Sequence, residues 1–160
     1  MGDKVRRVVT THDAIGHAVV RIDEKVALAG LPGENLSSAV IWTTGRFPAD
    51  NSVDAEDGPP EDGMSLNGGS ALRLMEFGPG FTSPVQRSLS IDYLCVLSGE
   101  LEMELDGGEL VRLYQGDVLV QRGTGHSWRN PSQDTPCRVI VSMVEALRLP
   151  IGGGMLRPTP

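Results

Sequence analysis

Between Ala71 and Ala146 the chain is cut into seven short runs, "ALRLMEF", "LSIDYLCVL", "ELEMEL", "ELVRLY", "DVLVQR", "HSWRN" and "CRVIVSMVEA". None has the length or the 3.6-residue period of an amphipathic helix, and most are rich in β-branched or aliphatic residues. Turn signals stand between them: "SGE", "LDGGEL" and "YQGD" each offer the Gly, Asp or Asn-like chemistry that reverses a strand. Strands at roughly ten-residue spacing, each closed by a turn, predict an all-β fold in which two sheets pack face to face, as in a jelly roll.

The flanks carry the same punctuation more loosely, and the 20 Gly and 11 Pro are spread through the whole chain. We expect a single domain over residues 1–160, since a core of that size buries enough apolar surface without a second one. N-terminal strands occupy 1–47, where "KVRRVVTTHD", "HAVVRIDEKVAL" and "SSAVIWTTGRF" read as edge strands and hairpins. Residues 48–70 have almost no large apolar side chain and many acids, which predicts a long loop or lid. The barrel core is 71–146, and the Gly/Pro-rich tail 147–160 is expected to form no regular element.

Acids outnumber bases 21 to 14 for a formal charge of -7, so no nucleic-acid partner is expected, because phosphate binding needs a basic footprint. No run approaches the ~20 apolar residues of a membrane span, and the N-terminus lacks a signal-peptide core; the expected location is cytoplasmic, with no membrane partner. Cys95 and Cys137 lie inside apolar runs and read as reduced packing residues.

Alternation along "QRSLSIDYLCVLSG" places Gln86, Ser88, Asp92, Leu94 and Val96 on one face and Arg87, Leu89, Ile91, Tyr93, Cys95 and Leu97 on the other. His126 and Trp128 share a face of "HSWRN". These segments resemble the two motifs of the cupin superfamily, G-x5-H-x-H-x(3,4)-E-x6-G and G-x5-P-x-G-x2-H-x3-N. Asp92 stands at the glutamate position before Gly99, Gln86 and Ser88 stand at the two histidine positions, and Gly116, His126 and Asn130 fit the second motif, shortened by one residue between Arg122 and His126. The pieces "VIWTTGRFPADN", "IDYLCVLSGELEMELDGG" and "QRGTGHSWRN" resemble a narrower group of small single-domain cupins of microbial and fungal natural-product clusters, in which histidine stands where this chain has Gln86.

The resemblance implies a cupin double-stranded β-helix, a jelly-roll barrel with extra N-terminal strands, and a homodimer in which those strands add to the partner's sheet. It also implies an interior site of Gln86, Ser88, Asp92 and His126. Cupin metals rest on imidazoles plus a carboxylate, and only one imidazole is present, so no cofactor is expected beyond a weakly held divalent ion on Gln86, Asp92 and His126. Metal-free epimerases and dehydratases of the superfamily point instead to proton transfer, with His126 as general base or acid and Asp92 orienting it. The competing reading makes the pair a relic of a lost metal site.

Further candidates for substrate contact are Trp128 as a flat wall, and Arg122 and Arg73 as donors to a carboxylate or enolate. Core packing for Trp128 and an exposed edge for Arg73 are the plainer alternatives, and Arg87 is expected to pair with a surface acid. His12 and His17 read as surface residues. The expected partner is a small molecule, and the expected activity is a lyase or isomerase (dehydration, decarboxylation or double-bond shift) acting on a polyketide-like or aromatic metabolite of secondary metabolism. A non-catalytic binding cupin and a metal-dependent dioxygenase are the alternatives.

Overall fold

The computed structural model describes residues 4–31, 33–52, 66, 68–152, 154–155 and 157–158. Its regular elements are β1 (Lys4–His12), β2 (Ala18–Ala27), β3 (Ala29–Gly30), β4 (Leu36–Thr44), β5 (Ser70–Phe77), β6 (Ser90–Ser98), β7 (Glu100–Leu105), β8 (Leu110–Tyr114), β9 (Val118–Arg122), β10 (His126–Arg129), β11 (Cys137–Glu145), β12 (Pro150–Ile151) and β13 (Gly154–Met155). All seven strands expected between Ala71 and Ala146 are present, as β5 to β11. No helix among the described residues is long and apolar enough to cross a membrane.

A six-stranded sheet runs β3-β4-β5-β11-β6-β9 and a three-stranded sheet runs β10-β7-β8. Their facing sides supply one core, in which Phe77, Leu94, Val96, Val139 and Val141 meet Leu101, Met103, Leu113 and Trp128. Alternation explains the division, since in β6 Leu94 and Val96 turn inward while Tyr93 and Leu97 remain exposed. The β6–β7 turn needs glycine: Gly99 has φ +77°, and a Cβ there would stand 2.7 Å from the Pro136 carbonyl oxygen. The two cysteines are not bridged, and burial pushes the Cys137 thiol up to about 11.

β1 and β2 form a hairpin joined to the rest through light contact with β4, leaving Val8, Val19 and Val20 exposed. β4 departs from the expected edge position, because the two-residue β3 covers its outer side. The tail also differs from expectation: Pro150 pairs with Met155 and Ile151 with Gly154, a small exposed hairpin made possible by Gly152 at φ +56°. The expected lid falls mainly on residues 53–65 and 67, which lie outside the described residues.

Candidate functional site

The inner face of the six-stranded sheet changes from apolar to polar along its strands. One cross-strand row reads Ala71, Met143, Asp92 and Gln121 on β5, β11, β6 and β9. The neighbouring row toward the apolar end reads Arg73, Val141, Leu94 and Leu119. Across the interior, β10 carries His126 and Trp128 on its inward side, both buried. Gln86 is joined to His126 by a pair of backbone hydrogen bonds of 2.8 and 2.9 Å, so both side chains leave the ladder on the same face. The structure thus brings Gln86, Asp92 and His126 to one polar end of the barrel.

The hydrogen bonding of His126 fixes its chemistry. Nδ1 lies 2.9 Å from the Thr124 carbonyl oxygen, an atom that only accepts, so Nδ1 carries the proton and Nε2 is left as the basic nitrogen. The Gln121 amide nitrogen is placed against the same Nδ1 and near the Thr124 carbonyl and hydroxyl oxygens, at 3.4 and 3.2 Å; amide nitrogen and oxygen interchange by a flip, and a protonated Nδ1 calls for the oxygen there. Burial pushes the His126 pKa down, opposed by the Thr124 carbonyl and the Asp92 charge. The ring is therefore neutral near pH 7 and edge-on to Trp128, with centroids 5.2 Å apart.

Asp92 is shifted the other way. Desolvation raises its pKa, against the lowering effects of the Ser90 hydroxyl and of His126, and its Oδ1 is shielded from solvent with no hydrogen-bond partner among the described residues. Ser90, itself buried, donates to the Ser88 hydroxyl at 2.8 Å. A carboxyl pushed up and an imidazole pushed down approach each other in proton affinity, as a proton-exchanging pair requires.

The carboxyl shift predicts a pH effect on stability. Since the folded-state pKa of Asp92 stands above 3.8, the folded chain binds more protons than the unfolded one in the window above that value, and this group's contribution declines as pH rises through it. Asp92→Asn abolishes the decline. The melting temperature of the variant, relative to wild type, should therefore climb between about pH 4 and pH 7; a relative melting temperature that falls over this range would show that Ser90 and His126 stabilise the carboxylate more than burial disfavours it.

Arg122 is placed away from the site, and Trp128 is less open than expected. Arg122 pairs with Ile91, the outward neighbour of Asp92, so strand alternation sends it to the outer surface, where it is exposed. Trp128 is no open wall: it is 8% exposed and packs 6.3 Å from Phe77 within the core. Arg73 does face the interior, and the edge-strand explanation fails because β5 is paired on both sides. Arg87 pairs with Asp106 at 2.5 Å, as expected. Gln121 was not singled out from the sequence. Its signal was parity with Leu119 in "DVLVQR", five residues before the histidine it contacts.

The fold implies a metal at this end of the barrel, and the donors do not fit one. The polar cluster offers one imidazole nitrogen, one carboxylate and amides, and no group of three His, Cys, Asp or Glu converges among the described residues. Transition-metal sites of N/O type need more than that set supplies.

The cupin domain family matches residues 73–143, the span from Arg73 to the last inward residue of β11. Phomopsin biosynthesis cluster protein C' of Diaporthe leptostromiformis is 38% identical over 94% of this chain and 83% of its own length.

The chain belongs to the cupin superfamily.

Another relative of this cupin, the cupin-domain-containing oxidoreductase srdB of Neurospora crassa, is 32% identical over 94% of this chain and 78% of its own length. Among solved structures, the Schizosaccharomyces pombe Cnp3 cupin domain superposes with a TM-score of 0.53 at 16% identity, covering 91% of this chain and 89% of that one, which establishes the shared jelly-roll fold.

Proposed function

We propose that this cupin is an enzyme of secondary metabolism that moves protons on a small polyketide-like or aromatic metabolite, as a lyase or isomerase. The single observation that carries the reading is the His126 Nδ1 contact with the Thr124 carbonyl oxygen, which leaves Nε2 as a neutral base beside a carboxyl of raised pKa. In a dehydration His126 removes a proton from carbon and the Asp92 carboxyl protonates the leaving oxygen; in a double-bond shift the carboxyl returns the proton to another carbon; in a decarboxylation it protonates the carbon that has lost CO2; none of the three needs a redox partner. Relatives named as biosynthesis cluster proteins in Diaporthe leptostromiformis and Aspergillus oryzae support the metabolic setting.

A second reading is favoured by the names of other relatives, cupin-domain-containing oxidoreductases, and would make the chain a metal-dependent redox enzyme. Gln86→His separates the two. Placed on the His126 ladder, the new imidazole should raise Zn(II) affinity at least tenfold over wild type, measured by isothermal titration, because it doubles the nitrogen donors. Wild-type protein binding one Zn(II) or Fe(II) per chain as tightly as the variant would favour the redox reading.

We also propose a homodimer. The outer face of β6 and β9 exposes Tyr93, Val118 and Val120, and the β1–β2 hairpin exposes Val8, Val19 and Val20, two apolar surfaces that a second copy can cover reciprocally. Val120→Glu should convert the sedimenting species from dimer to monomer; a wild-type monomer at all concentrations sinks this arrangement.

A further inference from the structure

Three arginines hold an Nε that is shielded from solvent and has no hydrogen-bond partner: Arg7, Arg73 and Arg87. Two of them are accounted for by their outer nitrogens, since Arg7 reaches the Ile41 carbonyl oxygen and Glu24 and Arg87 reaches Asp106. Arg73 differs. None of its nitrogens bonds to a described residue, and no described carboxylate pairs with it. It nonetheless lies on the inward side of β5 between Ala71 and Met75, in line with the core residue Phe77. Desolvation is the one cause acting on its charge, and it lowers the pKa. A guanidinium partly drawn away from water without an anion is costly to the fold, and a position that merely packed would be better served by Met or Leu.

Its placement relative to Asp92 is informative. The two stand in adjacent rows with β11 between their strands, so two strand spacings, about 10 Å, separate their backbones sideways. No ion pair joins them, and Met143 and Val141 of β11 stand between their strands. Asp92 and Gln121 lie on one side of β11, with His126 near them, and the cation of Arg73 lies on the other.

We infer that Arg73 is the anion anchor of this pocket and that the natural ligand is a carboxylate or an equivalent planar monoanion, held by the guanidinium fork with its reacting carbon presented to Asp92 and His126. The assignment of reacting carbon rests on the proton-transfer reading above; the anion site itself does not. A planar fork with five donors matches a carboxylate in two parallel hydrogen bonds, which a lysine ammonium cannot reproduce.

Binding tests the inference without turnover. The probes are benzoate and its uncharged counterpart benzamide, titrated into the full-length chain labelled with ¹⁵N-arginine, the Arg73 Nε–H resonance being the one missing from Arg73→Met. Benzoate should shift that resonance saturably and bind at least tenfold more tightly than benzamide. Arg73→Met should lose at least tenfold in benzoate affinity, Arg73→Lys should recover part of it, and unliganded Arg73→Met should melt no lower than wild type, since the substitution removes an unpaired buried charge. Benzoate affinity unchanged in Arg73→Met, equal affinity for benzamide, or no response to benzoate would each overturn the anion site. A marked fall in the melting temperature of Arg73→Met would do so as well, by showing the guanidinium to be a structural partner. The outcome is separable from the proton-transfer reading: His126→Ala should still bind benzoate, so an intact anion site with undiminished turnover in that variant defeats the catalytic pair alone.

Discussion

His126→Ala should lower turnover by ~10²–10⁴, the loss typical of a missing general acid or base, which corresponds to about 3–5 kcal/mol of barrier. The reasoning starts from Thr124, whose carbonyl oxygen at 2.9 Å dictates the tautomer and so makes Nε2 the reactive atom. Since His126 is 4% exposed and touches Trp128, truncation also opens space in the wall, and His126→Gln serves as the companion that keeps volume and polarity. Both variants should retain the cooperative melting of the wild type while losing turnover. Undiminished turnover in both would shift the protein to the ligand-binding class; loss of cooperative melting in both would make the histidine a packing residue. The effect of pH adds a second signature: with the imidazole pKa lowered by burial, the rate should hold as pH falls past 6.5 and drop only below it.

The second large effect is on stability. Asn130 is wholly buried, and its Nδ2 donates to three carbonyl oxygens, those of Phe77 at 2.9 Å, Gly78 at 3.2 Å and Thr135 at 2.9 Å. Its Oδ1 accepts from the Ser132 amide at 3.0 Å. One side chain thereby ties the end of β5 to the loop before β11. Asn130→Leu removes these bonds; the Gly78 carbonyl keeps the Phe81 amide, and each group left with neither another partner nor water costs about 1–3 kcal/mol, so a total loss of about 3 kcal/mol is expected. Chemical denaturation should show that loss in the midpoint with the slope unchanged. A loss below about 0.5 kcal/mol, the range of ordinary surface substitutions, would mean that the four contacts are dispensable. The last residue of the second cupin motif is in this view a structural pin.

The strand pattern from β5 to β11 was legible because alternation and turn chemistry agree at every boundary, and Gly99 carries both: it ends a run in the sequence and takes φ +77° in the structure. The inward position of Asp92 followed from parity with Leu94 and Val96. Parity was also the point of failure at Arg122. The cupin motif is one residue short there, so spacing from the motif could not say which of Gln121 and Arg122 turns inward; the β6–β9 register, Asp92 to Gln121, decides for Gln121. Arg73 was visible as a cation in an apolar run, yet a charged residue in a strand has two ordinary explanations, an edge or an interior site. Only the flanking of β5 by β4 and β11 chooses between them. The small hairpin of β12 and β13 was missed because two-residue strands leave no period to read.

We propose above all that Asp92 and His126 transfer protons without a metal. The most direct measurement uses the metabolite that accumulates in a producer strain lacking this gene, supplied to chelator-treated protein in D₂O with product deuterium read by mass spectrometry. Full conversion at the wild-type rate, abolished in His126→Ala, with a solvent deuteron fixed on carbon if the product is an isomer or a decarboxylated acid and none if water is lost, is the predicted result. Conversion that stops on chelation and returns with Fe(II) and dioxygen, giving an oxidised product free of solvent deuterium, would contradict it.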